Sequence, residues 1–141
     1  LHEKEQPGFD FIGQTIECTK SGLGLKFFMA LSGLGEQKLE RYIDRCFDLT
    51  RRAAQYITDQ PDFVVPCQPQ SNILCFRINA TDEQQITIRD ALIASGQFYI
   101  SSTELDGQRY LRIVIISPKT GMEDIRILVT KIRALHKTFS Q

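Results

Sequence analysis

At 141 residues, with 42% hydrophobic and 24% charged residues, the chain is long enough for one domain with its own core. Seventeen basic residues balance seventeen acidic ones, which removes the electrostatic footprint of a protein that binds nucleic acid or an anionic membrane surface. No apolar run approaches the roughly 18 residues that span a bilayer and the N-terminus has no charged-then-apolar signal pattern, so the expected location is the cytoplasm.

Residues 1–14 mix charge, Pro7 and two glycines without a regular period, and Phe9, Phe11 and Ile12 are spaced as in a segment laid against another surface. They read as an arm, and Thr15 to Thr19 as a short extended piece. Leu23, Phe27, Phe28 and Leu31 mark a first apolar helix, stopped by Gly33-Leu34-Gly35. From Glu36 a long amphipathic helix is expected. Leu39, Ile43, Cys46, Phe47, Ala53, Ala54 and Ile57 lie on one side, with Glu40, Arg41, Asp44, Arg45, Asp48 and Arg51 largely on the other. Asp59-Gln60-Pro61 closes it, because proline disfavours helix in the residue before it.

The period then changes to that of strands over Asp62 to Pro66 and Asn72 to Asn79. Thr81-Asp82-Glu83 opens a helix through Ile86, Ile88, Ala91, Leu92 and Ile93 to Gly96, with Thr81 or Asp82 as its cap. Phe98 to Glu104 and Gln108 to Ser117 flank Asp106-Gly107, the strongest hairpin signal in the chain. A last helix starts near Met122, with Ile125, Leu128, Val129, Ile132, Leu135 and Phe139 at helical spacing. The order α-α-β-β-α-β-β-α predicts an α+β sandwich: a small, mainly antiparallel four-stranded sheet covered on one side by helices.

Chemistry is sparse. There is no glycine-rich phosphate loop, nucleophile elbow, histidine beside an acid, or carboxylate pair in an apolar setting. Asp44 and Asp48 stand among Arg41, Arg45, Arg51 and Arg52 and read as a solvated charge ladder. Lys26, at a helix margin, reads as an ordinary solvated or paired lysine. Cys18, Cys46, Cys67 and Cys75 are widely spaced, and the two histidines, His2 and His136, sit at opposite ends, which argues against a zinc site. The four cysteines read as thiols, with Cys46 and Cys75 as small core hydrophobes.

The stretch from Tyr110 to Pro118 is the most informative, because it sets Arg112 among Leu111, Ile113, Val114, Ile115 and Ile116. On a buried strand an unpaired guanidinium costs several kcal/mol. Arg112 is therefore expected to meet a carboxylate, to snorkel to water at a strand edge, or to open onto a pocket that receives an anion.

Glu17-Cys18-Thr19-Lys20 followed by Leu25-Lys26-Phe27-Phe28 resembles a segment of the pyridoxal-phosphate-dependent amino-acid decarboxylases of the glutamate, aromatic-amino-acid and diaminobutyrate type. In that family the segment enters the C-terminal domain. The resemblance continues through Gly33 to Leu49, Asn72 to Arg77, and Tyr110 to Pro118 into the final helix, over nearly the whole chain.

It implies the small C-terminal domain of a fold-type-I pyridoxal enzyme that removes the α-carboxylate of an L-amino acid as carbon dioxide. Residues 1–21 would be an arm and linker from a missing large domain, and residues 22–141 the small domain. A chain that begins at Leu1 without methionine fits a processed or excised piece. The family's cofactor lysine follows a histidine in the large domain. His136-Lys137 is the wrong place for it, so the fragment is expected to be inactive alone. Pyridoxal 5'-phosphate is the implied cofactor, held by the full-length enzyme, and a second subunit is implied because the family's active sites lie near a homodimer interface.

Two residues gain expected roles from the resemblance. A basic residue on the strand that holds Arg112 faces the active site in related enzymes and can pair with a substrate carboxylate, for which a planar guanidinium is suited. Lys20 stands near the cofactor phosphate and subunit interface, where the family often has arginine. Lys20-Ser21 departs from the family's paired basic residues, and Gly24 from its usual small residue such as alanine. Glutamate, diaminobutyrate, cysteine sulfinate and aromatic amino acids all remain open as substrates. The competing reading is a stand-alone ligand-binding or dimerisation module without catalysis. Exposure of Phe9, Phe11, Phe27 and Phe28 would separate the two, since a severed domain shows the surface that once met its neighbour.

Overall fold

A computed structural model describes residues 22–139 and divides the chain into two units, Leu1–Leu39 and Glu40–Gln141. In the first unit, α1 (Leu23–Leu34) ends where the Gly35 amide bonds the Leu31 carbonyl at 2.9 Å. Gly35 has φ 77°, a left-handed conformation that glycine adopts without strain. No residue of α1 is buried, although its sequence is almost wholly apolar. Phe27 and Phe28 are 63% and 64% exposed. The expected arm, with Phe9 and Phe11, lies outside the described residues.

The second unit holds most of α2 (Glu36–Thr58), then β1 (Phe63–Val64), β2 (Ile73–Ile78), α3 (Asp82–Ala94), β3 (Ser101–Leu105), β4 (Gln108–Val114) and α4 (Met122–Phe139). The element order is the expected one. The strands are shorter than the apolar runs that announced them. The sheet order is β1-β2-β4-β3, antiparallel at every step. Phe63 faces Ile78, Leu74 faces Ile113, and Ser101 faces Arg112.

Successive side chains in a strand alternate between faces. One face of the sheet carries Leu74, Phe76, Ile78, Leu111, Ile113 and Ile115 into a core completed by Ala53, Ala54 and Ile57 of α2, Ile88 and Leu92 of α3, and Leu128, Val129 and Ile132 of α4. On α2 the buried stripe differs from expectation: Leu49 and Thr50 are inside, while Ile43 is 45% exposed. The Thr50 hydroxyl escapes an unsatisfied burial by donating to the Cys46 carbonyl at 2.7 Å. Thr81 is the cap of α3. Its hydroxyl accepts from the Gln84 amide, while the Gln84 side chain accepts from the Thr81 amide, a reciprocal capping box.

Arg133 of α4 clamps the entry to β1. Its Nε and one Nη donate to the Asp62 carboxylate at 2.6 and 2.5 Å, and the guanidinium lies 5.4 Å from the centre of the Phe63 ring. The Arg133 hydrogen bond holds the Asp62 carboxyl below its ordinary 3.8, against the opposing pull of burial. A carboxyl lowered in the folded state stabilises the fold at any pH above its unfolded value, and that stability is lost as pH falls through the folded one. Asp62→Asn should therefore lower the urea midpoint at pH 7, with the two unfolding curves converging as pH drops below about 4. No helix among the described residues is long and apolar enough to cross a membrane.

Candidate functional site

Arg112 lies on the other face of the sheet, where Ile73 and Val114 are exposed as well. The alternation that buries Leu111 and Ile113 turns Arg112 and Val114 outward, so the guanidinium is exposed and not embedded in the core. This corrects the expectation of a buried charge. The apolar run around Arg112 comes from two faces of one strand. Arg112 stands between Cys75 of β2 and Ser101 of β3, its partners in the ladder. Its Nε donates to the Ser101 hydroxyl at 3.0 Å. Among the described residues it has no ion pair, so the expected structural carboxylate is absent.

One step along the ladder Arg77 is treated differently. It donates to the Ala80 carbonyl at 2.6 Å, pairs with Asp82 at 3.2 Å and lies 5.6 Å from the centre of the Tyr110 ring, which fixes it as a structural group. Cys75 is half-buried rather than part of the core. Burial pushes its thiol up, the nearby Cys67 adds to this, and Arg112 opposes both. Cys46, Cys67 and Cys75 are all free thiols, and no group of residues fit to hold a metal occurs among the described residues. Around Arg112 the open face is apolar: Ile73 and Val114, paired in register, are 41% and 45% exposed, and Ile116 is 64% exposed.

A cleft of about 400 Å³ lies between α2 and the start of α4, lined by Arg41, Asp44, Arg45, Asp48, Arg52 and Gly121 among others. The alternating signs nearly cancel, and Asp48 is already paired with Arg51 at 3.0 Å. This is the expected charge ladder. Lys20 lies outside the described residues, Lys26 is exposed on α1, and His136 and Lys137 fall in the last turn of α4.

Sequence reasoning missed Ser101. The signal was available: a two-residue turn at Asp106-Gly107 sets Leu105 opposite Gln108, and counting back from it sets Ser101 opposite Arg112.

No family model matches the chain. Among curated proteins, it is 29% identical over 112 residues to tyrosine decarboxylase 2 of Arabidopsis thaliana, covering 74% of this chain and 21% of that protein. It is 23% identical over 145 residues to an acidic amino acid decarboxylase of Bos taurus, covering 92% of this chain and 28% of that protein. The chain thus spans about a quarter of the length of these relatives. Among solved structures, the glutamate decarboxylase domain of a Vibrio parahaemolyticus diaminobutyrate enzyme matches 81% of the chain, with a TM-score of 0.74 at 24% identity and 26% of that structure covered. Oryza sativa TDC, solved with PLP and tryptamine, matches 84% with a TM-score of 0.72 at 22% identity, over 27% of its own length. These structures share the fold of this α+β chain. The resemblance read from the sequence is borne out: the chain matches a region of the group II pyridoxal-phosphate-dependent amino-acid decarboxylases.

Proposed function

We propose that the chain is the C-terminal small domain of a pyridoxal-phosphate-dependent L-amino-acid decarboxylase, a carbon–carbon lyase that works in the cytoplasm as a homodimer. The observation that carries this is the match over most of the chain to about a quarter of each decarboxylase, combined with an exposed, unpaired guanidinium on the open sheet face. The cleft between α2 and α4 does not by itself fit the cofactor, since no lysine lines it and Asp44 and Asp48 stand among its arginines. The cofactor would be held by the rest of the protein, where it supplies the sink for the electron pair left by departing carbon dioxide. The fragment is therefore inactive alone.

Within that protein the small domain contributes a wall. Ile73, Val114 and Ile116 form an exposed apolar surface for the large domain to cover, and covering it would place Arg112 in low-dielectric surroundings. There an end-on contact from its planar fork to a substrate carboxylate gains strength and direction. The exposed phenylalanines of α1 also favour a severed domain over a stand-alone module. Substrate choice rests mostly on residues outside the described chain. One relative, 28% identical over 109 residues, is a phenylacetaldehyde synthase of Arabidopsis thaliana, so product identity belongs in the test. The full-length protein, loaded with pyridoxal phosphate and offered a panel of L-amino acids, should release carbon dioxide and the matching amine. Absence of carbon dioxide across acidic, basic and aromatic substrates would sink the proposal.

A further inference from the structure

The arginines of the sheet are held in two ways. Arg77 and Arg109 each meet a carboxylate, Asp82 at 3.2 Å and Glu104 at 3.3 Å, which both fixes and neutralises them. Arg112 is fixed by a neutral group instead. Ser101 lies opposite it in the ladder, accepts from its Nε at 3.0 Å, and donates its own proton to the Arg112 backbone carbonyl at 3.3 Å. That donation commits the hydroxyl proton and leaves a lone pair aimed at Nε. The guanidinium is thereby steered without losing its charge.

We propose that Ser101 is a positioning residue for Arg112, holding the side edge of the guanidinium so that its two terminal nitrogens are presented together to a carboxylate. This rests on the reading that Arg112 meets a substrate carboxylate. A guanidinium can offer a carboxylate either its Nε edge or its Nη edge. With Nε occupied by Ser101, only the end-on edge keeps two free parallel donors. The role needs a hydroxyl at this register position, and threonine supplies the same group on a side chain suited to a strand. Alanine removes it and frees the arginine to sample other rotamers, so part of the binding energy goes into ordering it again.

The test compares Ser101→Ala, Ser101→Thr and Arg112→Met in the full-length protein, with KM and kcat measured separately. Ser101→Ala should raise KM about three- to tenfold with little change in kcat, the size of one lost hydrogen bond. Ser101→Thr should recover most of that affinity. In parallel, the Arg112 Nε–H resonance of the 141-residue chain should exchange slowly with water in the wild type and in Ser101→Thr, and rapidly in Ser101→Ala. If Arg112→Met raises KM while Ser101→Ala keeps the wild-type KM and slow exchange, the positioning role is overturned and the role of Arg112 stands. If Arg112→Met leaves KM unchanged, the reading beneath both is overturned.

Discussion

Arg112→Met in the full-length protein is expected to lower kcat/KM by roughly 10- to 100-fold, almost entirely through KM. The size follows from losing hydrogen bonds to a charged group, about 1.5–3 kcal/mol, converted at about 1.4 kcal/mol per decade. The split follows from the chemistry. A carboxylate on the substrate side chain keeps its charge throughout and is held equally in the ground and transition states, so losing the guanidinium raises KM and leaves kcat near its original value. Folding should be untouched, because the side chain is exposed and, among the described residues, its one side-chain hydrogen bond goes to Ser101. Steady-state kinetics together with thermal unfolding of the same preparation decide the matter. A fall in stability that tracks the fall in activity would assign Arg112 to structure.

On the opposite face of the sheet the largest expected effect is on stability. Phe76 is fully buried at the centre of the core, its ring tilted 47° against Phe63 with centroids 6.2 Å apart. Phe76→Ala should destabilise the domain by about 3–5 kcal/mol, the cost of lost burial plus the cavity left behind. Small domains have about 5–15 kcal/mol in total, so the variant should be only marginally folded. Ile116→Ala provides the contrast. It removes a side chain of similar character from the open side, where Ile116 is 64% exposed, and should change stability of the 141-residue chain by less than about 0.5 kcal/mol. Urea unfolding of both variants reads the difference between the two faces directly. Comparable losses would mean that the open face is packed in solution.

Most of the fold was legible because its punctuation is local. The left-handed glycine after α1, the Thr81–Gln84 box and the Asp106-Gly107 turn each fix a boundary from a few neighbouring residues. Asp106 itself has φ 50°, as a hairpin turn of this kind requires. The exposure of Arg112 was not legible in the same way. A run rich in isoleucine, leucine and valine fits a strand covered on both faces as well as one covered on a single face, and composition alone does not separate them. What separates them is period two, anchored by the hairpin: Leu111, Ile113 and Ile115 on one side, Arg112, Val114 and Ile116 on the other. The register of β2 against β4, which brings Cys75 beside Arg112, joins strands distant in sequence and had no local signal.

The edges of the sheet limit how this surface can associate. β1, at one border, is two residues long between Pro61 and Pro66, and β3, at the other, reads Ser101-Ser102-Thr103-Glu104-Leu105. A strand that short, flanked by prolines, and a border rich in hydroxyls with a charge offer a poor template for adding a foreign strand. Within the described residues the sheet is thus guarded against fibril-like extension in its own plane, and its exposed apolar side chains favour face-to-face contact over edge-to-edge polymerisation.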